Sequence, residues 1–193
     1  MNIRYLTPCL VVICLLGCSF ATPKPKTAQR SLTHFQDANF GVRFSHTDQV
    51  STSYNPHGGA DRVMIAYQEK PIGGLLIRSA PPAGSIDDFI ATGKEHFKKK
   101  YGASSVDYTL YKNSHKYKFH YFKADVTLQD TNYIIENFIY LRENVKMESE
   151  ASAILAAISG AFIFEFLCQK EDYERITPEI KTVINSFTIE DSP

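Results

Sequence analysis

Apolar and polar residues alternate through most of residues 105–142, and that period of two constrains the fold more than any other feature of the chain. Such alternation marks strands that bury one face. Three strands are predicted, over residues 105–111, 115–128 and 132–142. In the middle one, Tyr117, Phe119 and Tyr121 share one parity, whereas Phe122, Ala124, Val126 and Leu128 share the other. A change of face within one strand predicts a bulge near Tyr121.

Two segments carry helical spacing instead. Ile86, Phe89, Ile90, Gly93, Phe97 and Tyr101 recur at helical intervals behind Ser85, an N-cap candidate with Asp88 three residues on. Asp87 and Asp88 open this helix, Lys98, Lys99 and Lys100 close it, and Gly102 follows, which suits both ends of the helix dipole. The second stripe is Ile176, Ile180, Val183, Ile184 and Phe187, with Pro178 expected in the first turn after Thr177. Upstream, Phe40, Val42 and Phe44 alternate with Asn39, Gly41 and Arg43 as a half-buried strand. Residues 55–60 carry turn chemistry, and strands at 62–68 and 74–79 are expected to join through Lys70, Pro71, Gly73 and Gly74. Residues 151–167 are almost wholly apolar, but Ser159-Gly160 breaks them and Glu165 would be costly inside a bilayer. Two buried strands, 151–158 and 161–168, fit better than a membrane helix. No internal repeat or low-complexity tract is present.

The N-terminus has a different character. Arg4 precedes a mostly apolar run from Leu6 to Leu16, shorter than the ~20 residues needed to cross a bilayer. It ends in Leu15, Leu16, Gly17 and Cys18, a box that resembles the lipobox of bacterial lipoproteins. The resemblance implies cleavage between Gly17 and Cys18, acylation of Cys18, and a protein held on a bilayer by several acyl chains. Residues 1–17 are then the signal peptide and 18–31 a lipidated, proline- and lysine-bearing tether, reaching about 40 Å at ~3.1 Å per residue. Residues 32–193 form one domain. Cys9 and Cys14 leave with the signal and Cys18 is acylated, so Cys168 alone remains and no internal disulfide can form. Cys168 follows Phe162, Phe164 and Phe166 in an alternating run, the setting of a buried, inert thiol.

The order of elements carries a second resemblance. A Phe-Gly-Val-Arg-Phe segment at residues 40–44 leads into a meander, one helix interrupts the sheet, and long hairpins follow. A closing strand then runs into an amphipathic helix ending Ile-Asn-Ser-Phe-Thr-Ile at 184–189. This arrangement resembles the PsbP and Mog-like group, which includes the bacterial DcrB-type lipoproteins. The resemblance implies an α+β fold, an α/β/α sandwich whose central, mostly antiparallel sheet is flanked by helices. The group shares no catalytic residues, and its members serve as assembly factors or extrinsic subunits of membrane complexes. The family often opens with a Tyr-Pro-x-Gly-Trp segment, and this chain has no tryptophan.

No chemistry-bearing constellation stands out. The six histidines show no ligand spacing, with His115 and His120 expected on opposite strand faces and His34, His46, His57 and His96 scattered. There is no Gly-x-Ser-x-Gly, and Gly58-Gly59 and Gly73-Gly74 lack the spacing and helix of a phosphate loop. The carboxylate pairs Asp87/Asp88 and Glu148/Glu150 read as solvated or capping charges. The chain is neutral overall, with 21 basic and 21 acidic residues, which gives no global footprint for nucleic acid. Charge is nonetheless uneven: residues 94–123 hold eight lysines against two acidic residues, a net of +6. Lys98, Lys99 and Lys100 are the candidate docking surface for anionic headgroups or an acidic partner. The expectation is a non-enzymatic accessory or assembly factor of the bacterial envelope, without cofactor or metal, bound to a bilayer through Cys18 and to an envelope protein. Ser19 after the cysteine resembles outer-membrane sorting signals, facing the periplasm in a Gram-negative cell. The alternatives are a carrier of a small apolar ligand between sheet and helix, whose pocket Phe162, Phe164 and Phe166 could line although the core is their favoured place, and a hydrolase assembled from residues distant in sequence.

Overall fold

The structure, a computed structural model, describes residues 31–38, 40–54, 63–78, 85–142 and 160–189. The lipobox, most of the tether, the turn at 55–60, the strand expected at 151–158 and Glu148/Glu150 lie outside the described residues.

Seven antiparallel strands build the main sheet, in the order β3-β4-β5-β9-β8-β7-β6. They are β3 (Val50–Tyr54), β4 (Val63–Tyr67), β5 (Lys70–Arg78), β6 (Asp107–Lys112), β7 (Lys118–Leu128), β8 (Thr131–Leu141) and β9 (Ala161–Gln169). Helix α1 (Ile86–Tyr101) lies on one face, and α2 (Tyr173–Ser186) covers the other. A second sheet, β1 (Leu32–Asp37), β2 (Val42–Thr47) and β10 (Thr188–Ile189), joins α2 on its side. The fold is the expected α+β sandwich, with this small sheet as an addition. Among the described residues no helix is long and apolar enough to cross a membrane, and the second half of the 151–167 run is strand β9.

The long hairpins form as their alternation dictates, but without the bulge expected at Tyr121. The β7–β8 register is unbroken from Phe119↔Tyr140 to Leu128↔Thr131. Both parities of β7 are apolar because the sheet is covered on both faces. Phe119 belongs to the core under α2, whereas Phe122, Ala124 and Val126 belong to the core under α1. The true irregularity sits between β4 and β5, where the pairing jumps from Ile65↔Gly73 to Ala66↔Pro71.

The β4–β5 turn is also displaced from its expected position. Gln68 and Glu69, both at positive φ (47° and 68°), make a tight hairpin turn, and Lys70, Pro71, Gly73 and Gly74 continue in β5. The glycines serve close strand packing there. A Cβ on Gly73 would lie 2.2 Å from the Glu165 carbonyl oxygen, and one on Gly74 2.7 Å from that of Val63. Pro71 falls beyond the stretch of β5 that pairs with β9, so its missing N–H leaves no gap in that ladder.

Helix α2 buries its predicted stripe, whereas in α1 Phe97 is buried, Phe89, Ile90, Gly93 and Tyr101 are half-buried and Ile86 is exposed. In α1 the Ser85 hydroxyl accepts from the Asp88 N–H (3.1 Å), Asp88 reciprocates at the Ser85 backbone (3.3 Å), and Gly102 closes the helix at φ 67°. Gly93 lets α1 settle on Phe122, whose Cζ would stand 2.6 Å from a Cβ there. Helix α2 begins five residues earlier than expected, so Pro178 lies inside it. Its missing N–H takes the usual donor from the Glu174 carbonyl in the first turn, and one residue earlier the Thr177 hydroxyl donates to the Tyr173 carbonyl (2.6 Å). At the other end Asn113, buried in the β6–β7 turn, donates to the Ile184 and Phe187 carbonyls (3.1 and 2.9 Å) and accepts from the His115 and Tyr117 amides.

Gly93→Val should destabilise the protein by ~1–3 kcal/mol through overpacking against the fully buried Phe122. Urea unfolding checks this; an unchanged midpoint would mean that α1 is not seated as described.

Candidate functional site

On the α2 side the sheet is closed. Phe162, Phe164, Phe166 and Cys168 point there from β9, all buried, and Phe187 packs edge-on against Phe164 (5.3 Å) and Phe119 (5.5 Å). The three phenylalanines fill a core instead of lining a ligand pocket, the carrier alternative's expectation. Burial, with the nearby charges of Glu136 and Asp172, pushes the Cys168 thiol up to about 12, so it is no nucleophile at neutral pH.

The same side holds a charged cluster that the sequence did not announce. Glu136, 4 % exposed, projects from the middle of β8 opposite Lys123. Its Oε1 accepts from the Tyr121 hydroxyl and from that of Tyr173 (2.7 Å), the first residue of α2. Lys123 Nζ lies 4.5 Å from the centre of the Tyr173 ring. Burial first, and the Glu136 carboxylate second, hold both phenols above their ordinary ionisation range. The cluster pins α2's first turn to the sheet. A carboxylate inside Tyr-Ile-Ile-Glu-Asn-Phe-Ile-Tyr was the available sequence signal.

Among the described residues the α1 side is open. Helix α1 stands over β7 through Phe89 and Phe97, whose rings lie 6.3 and 5.9 Å from that of Phe122. Beside it a cavity of about 400 Å³ runs between the helix and β5, β8 and β9. A second, of about 470 Å³, continues over β3, β4, β5 and β9, and Leu76 and Glu165 line both. The antiparallel register explains the lining. Ile139, Ile163 and Leu76 form one cross-strand row, and Asn137, Glu165 and Gly74 form the next. Tyr54, Met64 and Leu167 extend the apolar surface outward at 50, 42 and 38 % exposure.

The polar row is unevenly satisfied. Asn137, 5 % exposed, donates from Nδ2 to Glu165 Oε2 (3.4 Å), and its Oδ1 has no partner among the described residues. Glu165 also accepts from Lys100 Nζ (3.2 Å). Half-exposed as it is, that ion pair contributes ~0–1 kcal/mol.

The candidate docking lysines close α1 in its last turn, and of the three Lys100 lines the smaller cavity. Lys100 pairs with Glu165, Lys98 pairs with Glu95 (3.0 Å), and Lys99 is exposed. The wider basic stretch does not form one face. Lys112, Lys116 and Lys118 lie around the β6–β7 turn, and Lys123 lies on the opposite face of the sheet. His115 falls in that turn, outside β7, so strand parity does not govern it; His120 contacts Phe89 on the α1 side. His34 bonds Ser45, His46 bonds the Thr47 carbonyl, and His96 lines the smaller cavity. Among the described residues no three metal-ligating side chains converge. Asp88 is spent on the helix cap.

Two measurements follow from the closed side. Cys168 should resist thiol reagents at pH 8 in the folded protein and react fully in denaturant. The raised phenols make stability complete below the ordinary tyrosine value near 10 and progressively lost above it, because the unfolded chain releases protons that the folded one keeps. Tyr121→Phe and Tyr173→Phe should each cost ~1–3 kcal/mol at neutral pH and flatten that alkaline decline, measured by denaturant titration from pH 7 to 11.

No family profile and no curated protein sequence matches the chain. Solved structures do. Cyanobacterial PsbP (CyanoP) from Synechocystis sp. PCC 6803 superimposes with a TM-score of 0.53 at 10 % identity, over 88 % of this chain and 99 % of that one. LpqN of Mycobacterium tuberculosis, described as involved in cell envelope biogenesis, gives 0.48 at 6 % identity over 86 % of this chain and 88 % of its own. A protein of unknown function from Pseudomonas aeruginosa gives 0.45 at 11 %, over 84 and 98 %. At such identities only the architecture is common: the chain has a PsbP-like fold.

Proposed function

We propose that this protein is a lipid-anchored accessory factor of the bacterial cell envelope that acts by binding and not by catalysis. The observation that carries the reading is the contrast between the two sides of the main sheet. One side is filled by aromatic rings, α2 and the small sheet. The other presents a trough, exposed apolar side chains and the basic end of α1 together. Apolar surface beside charge is the composition of a binding face. The Leu-Leu-Gly-Cys box at 15–18 supports acylation of Cys18 after loss of residues 1–17, and Ser19 supports an outer-membrane address facing the periplasm. The tether at 18–31 then holds the domain near the bilayer without fixing its orientation. The partner of this reading is an envelope protein presenting acidic and apolar residues, met by Lys98, Lys99 and the surface around Met64 and Leu167.

Photo-cross-linking residues placed at Met64, Lys99 and Leu167 should capture one defined envelope protein in cells. The same residue at Lys181, on the exposed face of α2, should not capture it, and Cys18→Ala should abolish capture. Lys98, Lys99 and Lys100 exchanged together for Glu should weaken it in a salt-dependent way. Capture from Lys181 alone, or from no position, would refute this face as the docking surface.

A further inference from the structure

We propose that the trough on the α1 side binds one molecule of a neutral, single-chain amphiphile whose head group carries hydroxyls, of the monoacylglycerol kind. The inference rests on the reading of this side as a binding face and adds the ligand it takes.

The two cavities share Leu76 and Glu165 in their walls, so they adjoin along the sheet. Each volume falls in the ~300–1,000 Å³ range of small-molecule sites. Rows of the sheet divide the trough by chemistry. The row Ile139, Ile163 and Leu76, roofed by the flank of α1, is apolar and elongated along the helix. It fits a hydrocarbon chain. The adjacent row sets Asn137 and Glu165 beside the close-packed backbone of Gly74. It fits a head group.

The polar row also selects the kind of head. Asn137 Oδ1 is a buried acceptor without a partner, and a buried polar atom left so costs ~1–3 kcal/mol. Glu165 beside it offers acceptors only. Both ask for donors, which hydroxyl groups supply. Lys100 Nζ already holds Glu165 at 3.2 Å, so a carboxylate or phosphate head would have to compete with Glu165 for that cation, whereas a hydroxyl leaves the pair intact.

The test uses the full-length chain carrying Cys18→Ala, so that no acyl chain of its own is present. The probes are a monopalmitoylglycerol bearing a mid-chain diazirine and the corresponding free fatty acid. The glycerol ester should label peptides of β5, β8 and β9 saturably and more tightly than the acid. Asn137→Leu should weaken the ester about tenfold, equivalent to about 1.4 kcal/mol, and leave the acid unchanged. Thr92→Trp, at an exposed position lining the smaller cavity, should block both probes without disturbing the fold, as judged by circular dichroism. Labelling elsewhere, or equal loss of both probes in Asn137→Leu, would overturn the proposal. So would an absence of labelling. Protein capture in cells reads the docking role separately, so either idea can fail alone.

Discussion

Everything in this fold depends on the burial of β9 from the α2 side. Phe162, Phe164 and Phe166 stand on one face of that strand and receive Phe187, which meets Phe119, Phe162 and Phe164 within 5.9 Å. Phe44 from the small sheet closes on Phe164 at 5.7 Å. Large aromatic side chains bury ~150–250 Å² each, and edge-on contacts add to that. In the described domain Cys168 is the free cysteine, buried and without a disulfide, so cohesion rests on this packing. Because Phe187 also ends α2 and precedes β10, one residue links the main sheet, the helix and the second sheet.

Much of this was legible in the residues, and the reasons are local. Ser85, Asp88 and Gly102 specify α1 through backbone hydrogen bonds that neighbours in sequence make, so tertiary context had little to override. The hairpins of β7 and β8 follow from alternation alone. Where the reading failed, the deciding contact was distant. Parity in β7 could not show that two different layers cover the two halves of the strand. Gly73 and Gly74 look like turn residues until β9 and β4 are placed against them. Pro178 marks a helix start by habit, yet Tyr173, anchored on Glu136, begins the helix sooner. The strands β1 and β3 were missed because each buries little of its own surface.

The candidate site was legible only at its edge. Lys98, Lys99 and Lys100 stood out as a charge run, and of these Lys100 lines the smaller cavity. The trough itself is built from β5, β8 and β9 and from α1, segments far apart in sequence, and no short pattern could assemble them. Phe162, Phe164 and Phe166 fill the core, as their alternation on one strand face predicts. Ile163 and Glu165, at the intervening positions of the same strand, line the space that remains.

Polar bookkeeping separates structure from site more sharply than apolar burial does. Asn113 is buried with both ends of its amide engaged, and its task is to cap α2. Glu136 keeps one oxygen without a hydrogen bond, but Lys123 and two phenols surround it in a closed core, where its cost is offset by position. Asn137 is next in sequence and points to the other face. It has similar burial, a hydrogen bond to Glu165 and a place in the wall of the smaller cavity. Two adjacent residues of one strand thus carry similar unsatisfied atoms into opposite surroundings. On the closed side such an atom is part of a latch. On the open side nothing in the described domain answers it, and an occupant from outside the fold is the simplest account of why a sheet so well packed elsewhere leaves it so.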